Sequence, residues 1–334
     1  MSNQDYRSSS TPANRQFLAY LENVQTLVIL LRALSHKEKA TCVLSRSGVR
    51  FIVEDAKSAQ ARAYLQHNLF RDFEFPFTPS NDLDDPSQHP EETQPEEIVF
   101  SVNITTLVDC LTIFGGPTSS SHHSSGGDPD SSRDDFTQSS RWRSYGRGMG
   151  SGDEHPVPLR MTCDPDGSNF ELMLETNSIV TQCRVSTYDP DEMLDLQSVF
   201  AEERTVCKVI MKSTWLKSAF SEIDTTATSI SLLLSPHPPF FRLSASGLAG
   251  EAEMDYPKDT DVLESFQCYD TINYSYKFSL IHPCLKALAA SSKTSIRVND
   301  VGVLSMQFMI NLNSKDVTFI EFLICPLAEE EDDD

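Results

Sequence analysis

The order strand, helix, strands, helix, strands is written twice along this chain, and that duplication limits the architecture more than any other feature. NVQTLVILLRALS places apolar residues at 24, 27, 31 and 34, the 3.6-residue period of a helix with one buried side. Asn23 stands where an N-cap belongs. Strands KATCVLSR and VRFIVED follow around Ser47-Gly48, then AQARAYLQ and EEIVFSVNI. A second helix, TTLVDCLTIF, is stopped by Gly115-Gly116, and PLRMTC, FELMLET and IVTQCRVSTY complete the first half. In the second half VCKVIMK leads into the helix STWLKSAFSEID, with Ser213 expected as its cap. SISLLLS, FFRLSAS, GEAEMDYP and SFQC read as strands, and TINYSYKFSL enters the helix HPCLKALAASS, with Pro283 in its first turn. TSIRVN, VLSMQFMIN and VTFIEFLIC close the pattern. A shift of 189 lays Leu27 on Leu216, Leu31 on Phe220, Val43 on Leu232 and Phe51 on Phe240; a shift of 178 lays Phe100 on Phe278 and Leu107 on Leu285.

Composition divides the chain further. A disordered N-terminal tail (1–14) precedes a first domain (15–188), which is broken by a Pro- and acid-rich loop (76–97) and a low-complexity insertion (115–156). Residues 205–327 hold the second copy of the pattern and 328–334 an acidic tail, with 189–204 as the segment between the copies. The N-terminus has no apolar leader, and no run is long enough to cross a bilayer. The cysteines lie singly inside apolar runs without CxxC spacing, which reads as buried small side chains in a reducing compartment, with no metal and no cofactor.

The formal net charge of −22 disfavours indiscriminate nucleic-acid binding, yet the charge is segregated. Windows 23–37, 204–221 and 271–299 hold ten of the 27 basic side chains and none of the 49 acidic ones, where uniform scattering would place about nine. Each window contains a helix of the repeat. On the first, Gln25, Arg32 and His36 share a stripe away from Leu27, Leu31 and Leu34. On the last, His282 and Lys286 share one, joined by Lys293 if the helix runs that far. Helices with one greasy face and one acid-free face suit a polyphosphate held without reading its bases. No P-loop, Ser/His/Asp arrangement or carboxylate constellation marks an enzyme.

NVQTLVILLRALSHKEKATCVLSRSGVRFIVEDAKSAQARAYLQHNLFRDF, FSVNITTLVDCLTIFG and FRLSASGLAGEAEMDYPKDTDVLESFQC resemble the Rad-one family, a subunit of the checkpoint sliding clamp, with proliferating cell nuclear antigen as a more distant relative. The resemblance runs from about Phe17 to Pro326 and is most specific in DYPKDTD and ESFQC. It implies an α+β DNA-clamp fold of two duplicated domains, antiparallel sheets outside and two helices of each domain on the inner face, with 189–204 as the interdomain connector. It also implies a subunit of a nuclear heterotrimeric ring, with Rad-nine-like and Hus-one-like partners and a clamp loader. The lack of a catalytic carboxylate constellation makes that subunit non-catalytic, although some family members are described as exonucleases. That ring would encircle duplex DNA without sequence preference and recruit checkpoint and repair factors. A 3′→5′ exonuclease of the same family and a homotrimeric replicative clamp are the alternatives.

On that resemblance the lumen residues are Arg32, Lys37, Lys212, Lys217, His282, Lys286 and Lys293. Ring closure would use edge strands within Ile179–Tyr188 (Ile179, Val180, Thr181, Arg184) and Gly250–Tyr256 (Gly250, Ala252, Met254, Tyr256). A partner-peptide pocket is expected at Met193, Leu194, Leu196, Val303, Leu323, Pro326 and Leu327. Ser87, Thr93, Thr137 and Thr181 each precede Gln, the dipeptide that damage-response kinases prefer.

Overall fold

The computed structural model describes residues 16–76, 97–115, 156–176, 179–248, 250–313 and 316–328. The two tails, nearly all of both expected loops, and Ser87, Thr93 and Thr137 lie outside the described residues. The first half comprises β1 (Phe17–Leu21), α1 (Gln25–Leu34), β2 (Lys39–Ser45), β3 (Gly48–Asp55), β4 (Ala59–Gln66), β5 (Asp72–Glu74), β6 (Glu97–Asn103), α2 (Ile104–Gly115), β7 (Leu159–Cys163), β8 (Phe170–Thr176), β9 (Ile179–Val185) and β10 (Thr187–Tyr188). After the connector helix α3 (Leu196–Glu202) come β11 (Thr205–Lys212), α4 (Ser213–Glu222), β12 (Ser229–Leu234), β13 (Phe241–Gly247), β14 (Gly250–Tyr256), β15 (Leu263–Cys268) and β16 (Ile272–Lys277). The chain then forms α5 (Phe278–Ile281), α6 (Cys284–Ala290), β17 (Lys293–Asn299), β18 (Leu304–Asn311) and β19 (Val317–Ile324).

Strand pairing displays the duplication directly. One sheet runs β5-β1-β7-β8-β9, and half of a ten-stranded sheet repeats that order as β15-β11-β17-β18-β19. The other half of the ten-stranded sheet, β10-β6-β2-β3-β4, has its counterpart in the four-stranded sheet β16-β12-β13-β14. Even the small edge contact is repeated. β10 lies along β6, and after β19 the chain returns to β16, where the Leu327 amide donates to the Ser275 carbonyl at 2.7 Å.

The ladders also correct the sequence register. Lys39 pairs with Asn103 and Ser229 with Lys277, so Ala40, Cys42 and Leu44 correspond to Ile230, Leu232 and Leu234, a shift of 190. Phe51, opposite Cys42, then corresponds to Leu243, opposite Leu232. Ile104, not Phe100, corresponds to Phe278, because each follows directly on the paired strand end. The expected alignment of the second helix was off by four residues, about one turn, which leaves an apolar helical stripe in phase. In the strands it was off by one at Val43 and by three at Phe51, odd slips that exchange the two faces of a sheet.

Local chemistry accounts for several ends. The Asn23 side chain accepts from the Gln25 amide at 3.0 Å, and Asn103 caps α2 by accepting from Thr106 at 2.9 Å. Ser213 departs from expectation: it is buried as the first residue of α4, and its hydroxyl bonds Thr294 at 2.8 Å and Ser291 at 2.6 Å. At the β2–β3 turn Gly48 has φ +146°, and a Cβ there would stand 2.0 Å from the Leu65 carbonyl oxygen, so no other residue fits. Cys42, Cys163, Cys207 and Cys284 are buried and the other four cysteines half-buried.

The two units are fused where β4 pairs antiparallel with β19, Ala63 opposite Ile320 and Ala61 opposite Phe322. Small side chains on one strand admit large ones on the other, and all four are fully packed. Phe322 also meets Phe308 edge to face at 5.9 Å. Phe322→Ala is expected to lower stability by about 3–5 kcal/mol, read by urea denaturation.

Candidate nucleic-acid interface and partner surfaces

Four helices lie side by side in the order α2, α1, α6, α4, with the α1–α6 contact crossing between the two units. Each turns its apolar side to the sheets: Leu27, Leu30, Leu31 and Leu34 on α1, Leu216, Ala219 and Phe220 on α4, Cys284, Ala287 and Leu288 on α6. Solvent meets the opposite faces. Lys217 of α4 and Lys286 of α6 are exposed there, as are Lys212 immediately before α4 and His282 between α5 and α6. Among the described residues none of these three lysines has a carboxylate partner within ion-pair distance.

Two of the cations also tie helices together. Lys286 Nζ donates to the Ser35 carbonyl at the end of α1 at 3.1 Å, where a positive charge complements the helix dipole. Arg32, half-buried on α1, donates to Thr112 Oγ1 of α2 at 3.1 Å. The remaining expected members sit differently. α6 ends at Ala290, so Lys293 opens strand β17 and pairs with Glu264 at 2.6 Å instead of extending the helical stripe. Lys37 pairs with Asp55 at 2.8 Å. His36 lies beyond the end of α1 against Phe322, ring centroids 6.1 Å apart, and its Nδ1 is buried without a partner among the described residues. Burial, helped by Lys286 and Lys37 and opposed by Asp55, lowers its pKa to about 4. It is neutral at pH 7 and adds no charge to the helical face.

The two expected edge segments stand at sheet ends. β14 terminates the four-stranded sheet and β9 the five-stranded one. The segment 179–188 is not one strand, however; it breaks at Ser186, and Thr187–Tyr188 crosses to the ten-stranded sheet as β10. Ile179 and Val180 are 68% and 57% exposed, and Arg184 is exposed but held by Glu171 at 2.7 Å. On β14 Gly250 is exposed, Ala252 and Met254 are half-buried, and Tyr256 is buried and stacked on Phe241 at 4.9 Å. Thr181 points to the inward side of β9 and is half-buried.

The connector is strapped across the fused sheet. Lys39 meets Asp191 at 3.3 Å, Thr41 meets the Met193 sulfur at 3.5 Å, and the Leu194 amide donates to Glu54 at 3.2 Å. The buried Gln60 amide donates to the Leu194 carbonyl. Asp195 then caps α3, accepting from the Gln197 amide and the Ser198 hydroxyl and pairing with Arg62 at 2.5 Å. Partial burial of Asp195 works against ionisation, but Ser198, Arg62 and the Gln197 amide outweigh it and bring the pKa down to about 2. The seven expected pocket residues do not line one open cavity. Leu196, Val303 and Leu323 pack with Phe200 into a closed cluster, so the connector's own side chains fill the space. Met193 and Pro326 are half-buried, and only Leu194 and Leu327 are exposed. Sequence reasoning missed α3; Asp195 ahead of LQSVF was the capping signal that marked it.

A family model described as "Repair protein Rad1/Rec1/Rad17" matches residues 16–310, nearly the whole described region. The chain belongs to the Rad1 family of checkpoint-clamp subunits. It is 34% identical over 317 residues to the human "Cell cycle checkpoint protein RAD1", covering 93% of this chain and 92% of that protein. It is 28% identical over 300 residues to the Schizosaccharomyces pombe "DNA damage checkpoint control protein rad1", with 89% and 82% covered. Against the Mycosarcoma maydis "DNA repair exonuclease REC1" the identity is 25% over 446 residues, with 92% and 95% covered. The α+β clamp fold and a role as a DNA-damage checkpoint clamp subunit follow from membership.

Two measurements test these contacts. The folded pKa of His36 lies below the unfolded value near 6.5, so the unfolded chain binds the extra proton and stability falls as pH drops from about 6.5 to about 4. Allowing for the partly solvated ring, His36→Gln is expected to remove about 1–2 kcal/mol of that decline, read by urea titrations at pH 7.5 and 4.5. For Asp195 the sign is opposite to a raised group: its contribution is complete above the unfolded carboxylate pKa near 3.9 and disappears as pH falls through about 2. Asp195→Ala is expected to speed amide exchange at residues 197–199 by about tenfold while leaving β18 and β19 protected, read by hydrogen–deuterium exchange.

Proposed function

We propose that this chain is one of three non-identical subunits of a ring that encircles duplex DNA in the nucleus, without sequence preference, and recruits checkpoint and repair factors. The observation that carries this reading is the pair of open strand edges. Inside the chain, β4 of one unit is sealed by β19 of the other. By the repeat, β14 corresponds to β4 and β9 corresponds to β19, and these are the two strands left without that partner. A neighbouring subunit that paired its own equivalent strands in the same way would continue the arrangement at both ends. Unpaired edges of this length invite pairing, and a closed ring would join β14 and β9 of every subunit.

The row α2–α1–α6–α4 is the surface that faces the duplex in this reading. Lys212, Lys217 and Lys286, with Arg32 at the seam of α1 and α2, supply positive charge, and the acid-free windows keep repulsion away from α1, α6 and the body of α4, whereas α2 has exposed Asp109 and no basic residue, so its end of the row is not positive. Nothing in that set forms paired forks directed at base edges, which fits a sleeve that slides. Exposed Leu194 and Leu327 flank the strapped connector and are the apolar points available to a docking peptide there. We read the subunit as non-catalytic. One relative is named an exonuclease, but Asp55, Glu171, Asp195, Glu264, Asp270 and Glu321 here are each engaged by a Lys or Arg instead of converging on one centre.

Co-expression with the two other clamp subunits and native mass measurement is expected to give a complex containing one copy of each. In such a complex loaded on circular DNA, Lys217→Glu with Lys286→Glu is expected to lower retention and to reduce the salt slope by about one per cation removed. Lys286 also holds the end of α1, so Lys212→Glu with Lys217→Glu is the companion variant that leaves that tie intact. A salt slope unchanged in both variants would rule out the helical row as the DNA-facing surface.

A further inference from the structure

The internal junction specifies the register in which a strand would meet β14, and in that register β14 carries an unusual row of side chains. Ladder equivalence sets Gln60, Arg62 and Tyr64 of β4 on Glu251, Glu253 and Asp255 of β14. It likewise sets Phe319, Glu321 and Leu323 of β19 on Val180, Gln182 and Arg184 of β9. At the internal junction the outward row of β4 has a single charge, Arg62, and it lies opposite Glu321. The same row of β14 is three carboxylates, all exposed. Arg242 on β13 reaches two of them, Nε to Asp255 at 2.6 Å and Nη1 to Glu253 at 2.9 Å, while Glu251 has no cation partner among the described residues. The row keeps an excess of negative charge after that.

A second copy of this chain is a poor match for the row. In the junction register its β9 would set Val180 against Asp255, Gln182 against Glu253, and Arg184 against Glu251, and Arg184 is already held by Glu171. Two of the three carboxylates would face an uncharged side chain at a newly covered edge, where solvent no longer compensates them. Oppositely charged cross-strand neighbours strengthen a sheet, and charge complementarity selects partners more than it raises affinity. On the inward side Ala252 and Met254 are only half-buried, whereas their counterparts Ala61 and Ala63 are 1% and 0% exposed under β19. The β14 edge is therefore an unfinished copy of a sealed junction.

We infer that β14 receives a strand from a different polypeptide, one that presents Lys or Arg at alternating outward positions and apolar residues on the inward side, and that this acidic row is what excludes self-association. The inference takes its register from the ring reading and adds the chemistry of the partner strand to it. The test is made on the full chain alone, by sedimentation velocity over a concentration series in low and moderate salt. Val180→Lys with Gln182→Lys gives the chain's own β9 the alternating cations, at two exposed positions whose change should leave the thermal melt unaltered. The double variant is expected to self-associate at least about tenfold more tightly than the parent chain. Added salt should weaken that association, and Glu251→Gln, Glu253→Gln and Asp255→Asn together should abolish it. Self-association no tighter than the parent's, or association that survives neutralisation of β14, would overturn the inference. If the variant assembles with this charge dependence but its assemblies slip off circular DNA, the strand-pairing inference stands and the encircling reading fails.

Discussion

The antiparallel pairing of β4 with β19 is the contact on which the rest of the molecule depends. It turns two units, each built from two sheets and a helical layer, into one continuous ten-stranded sheet. The geometry works because alanines 59, 61 and 63 leave room for Ile320, Phe322 and Ile324. With that sheet continuous, α1 and α6 are brought against one another, and Lys286 of one unit reaches the terminal carbonyl of a helix in the other. The connector crosses the same seam on the other face, through Glu54, Gln60, Arg62 and Asp195.

A duplicated unit joined once inside a chain must leave two equivalent edges unjoined. The chemistry of those edges is not the same as that of the sealed pair. β4 is neutral to basic on its outward row and β14 is acidic, while both keep apolar side chains on the inward row. A clamp assembled from unlike subunits needs such divergence, because strand pairing by backbone alone does not discriminate between partners.

The positive helical face has two functions. Arg32 and Lys286 join neighbouring helices while contributing charge, whereas Lys212 and Lys217 have no such tie among the described residues. Lys37 and Lys293 looked equivalent to these in the sequence because a count of charge along the chain does not distinguish a helix face from the strand that follows it. Their neutralisation comes from Asp55 on β3 and Glu264 on β15, far enough away in sequence that the acid-free windows gave no sign of either. His36 was misread for a related reason: helical spacing put it on the stripe, but the helix stops at Leu34 and the ring turns toward Phe322.

While the α+β clamp class and the connector came with the family resemblance, periodicity and composition alone determined the repeated order of strands and helices and the acid-free windows. Those properties are local: a 3.6-residue or two-residue apolar period needs only neighbours along the chain. The family resemblance was carried in the same stretches, FRLSASGLAGEAEMDYPKDTD above all. Which residues correspond between the two halves, where α6 gives way to β17, how Leu196 and Phe200 close the space beneath the connector, and which strands lack the partner that their repeat counterparts have were decided by tertiary structure. Each depends on pairing between segments far apart in sequence, and a one-residue slip that changes little in composition moves a whole strand's side chains to the opposite face.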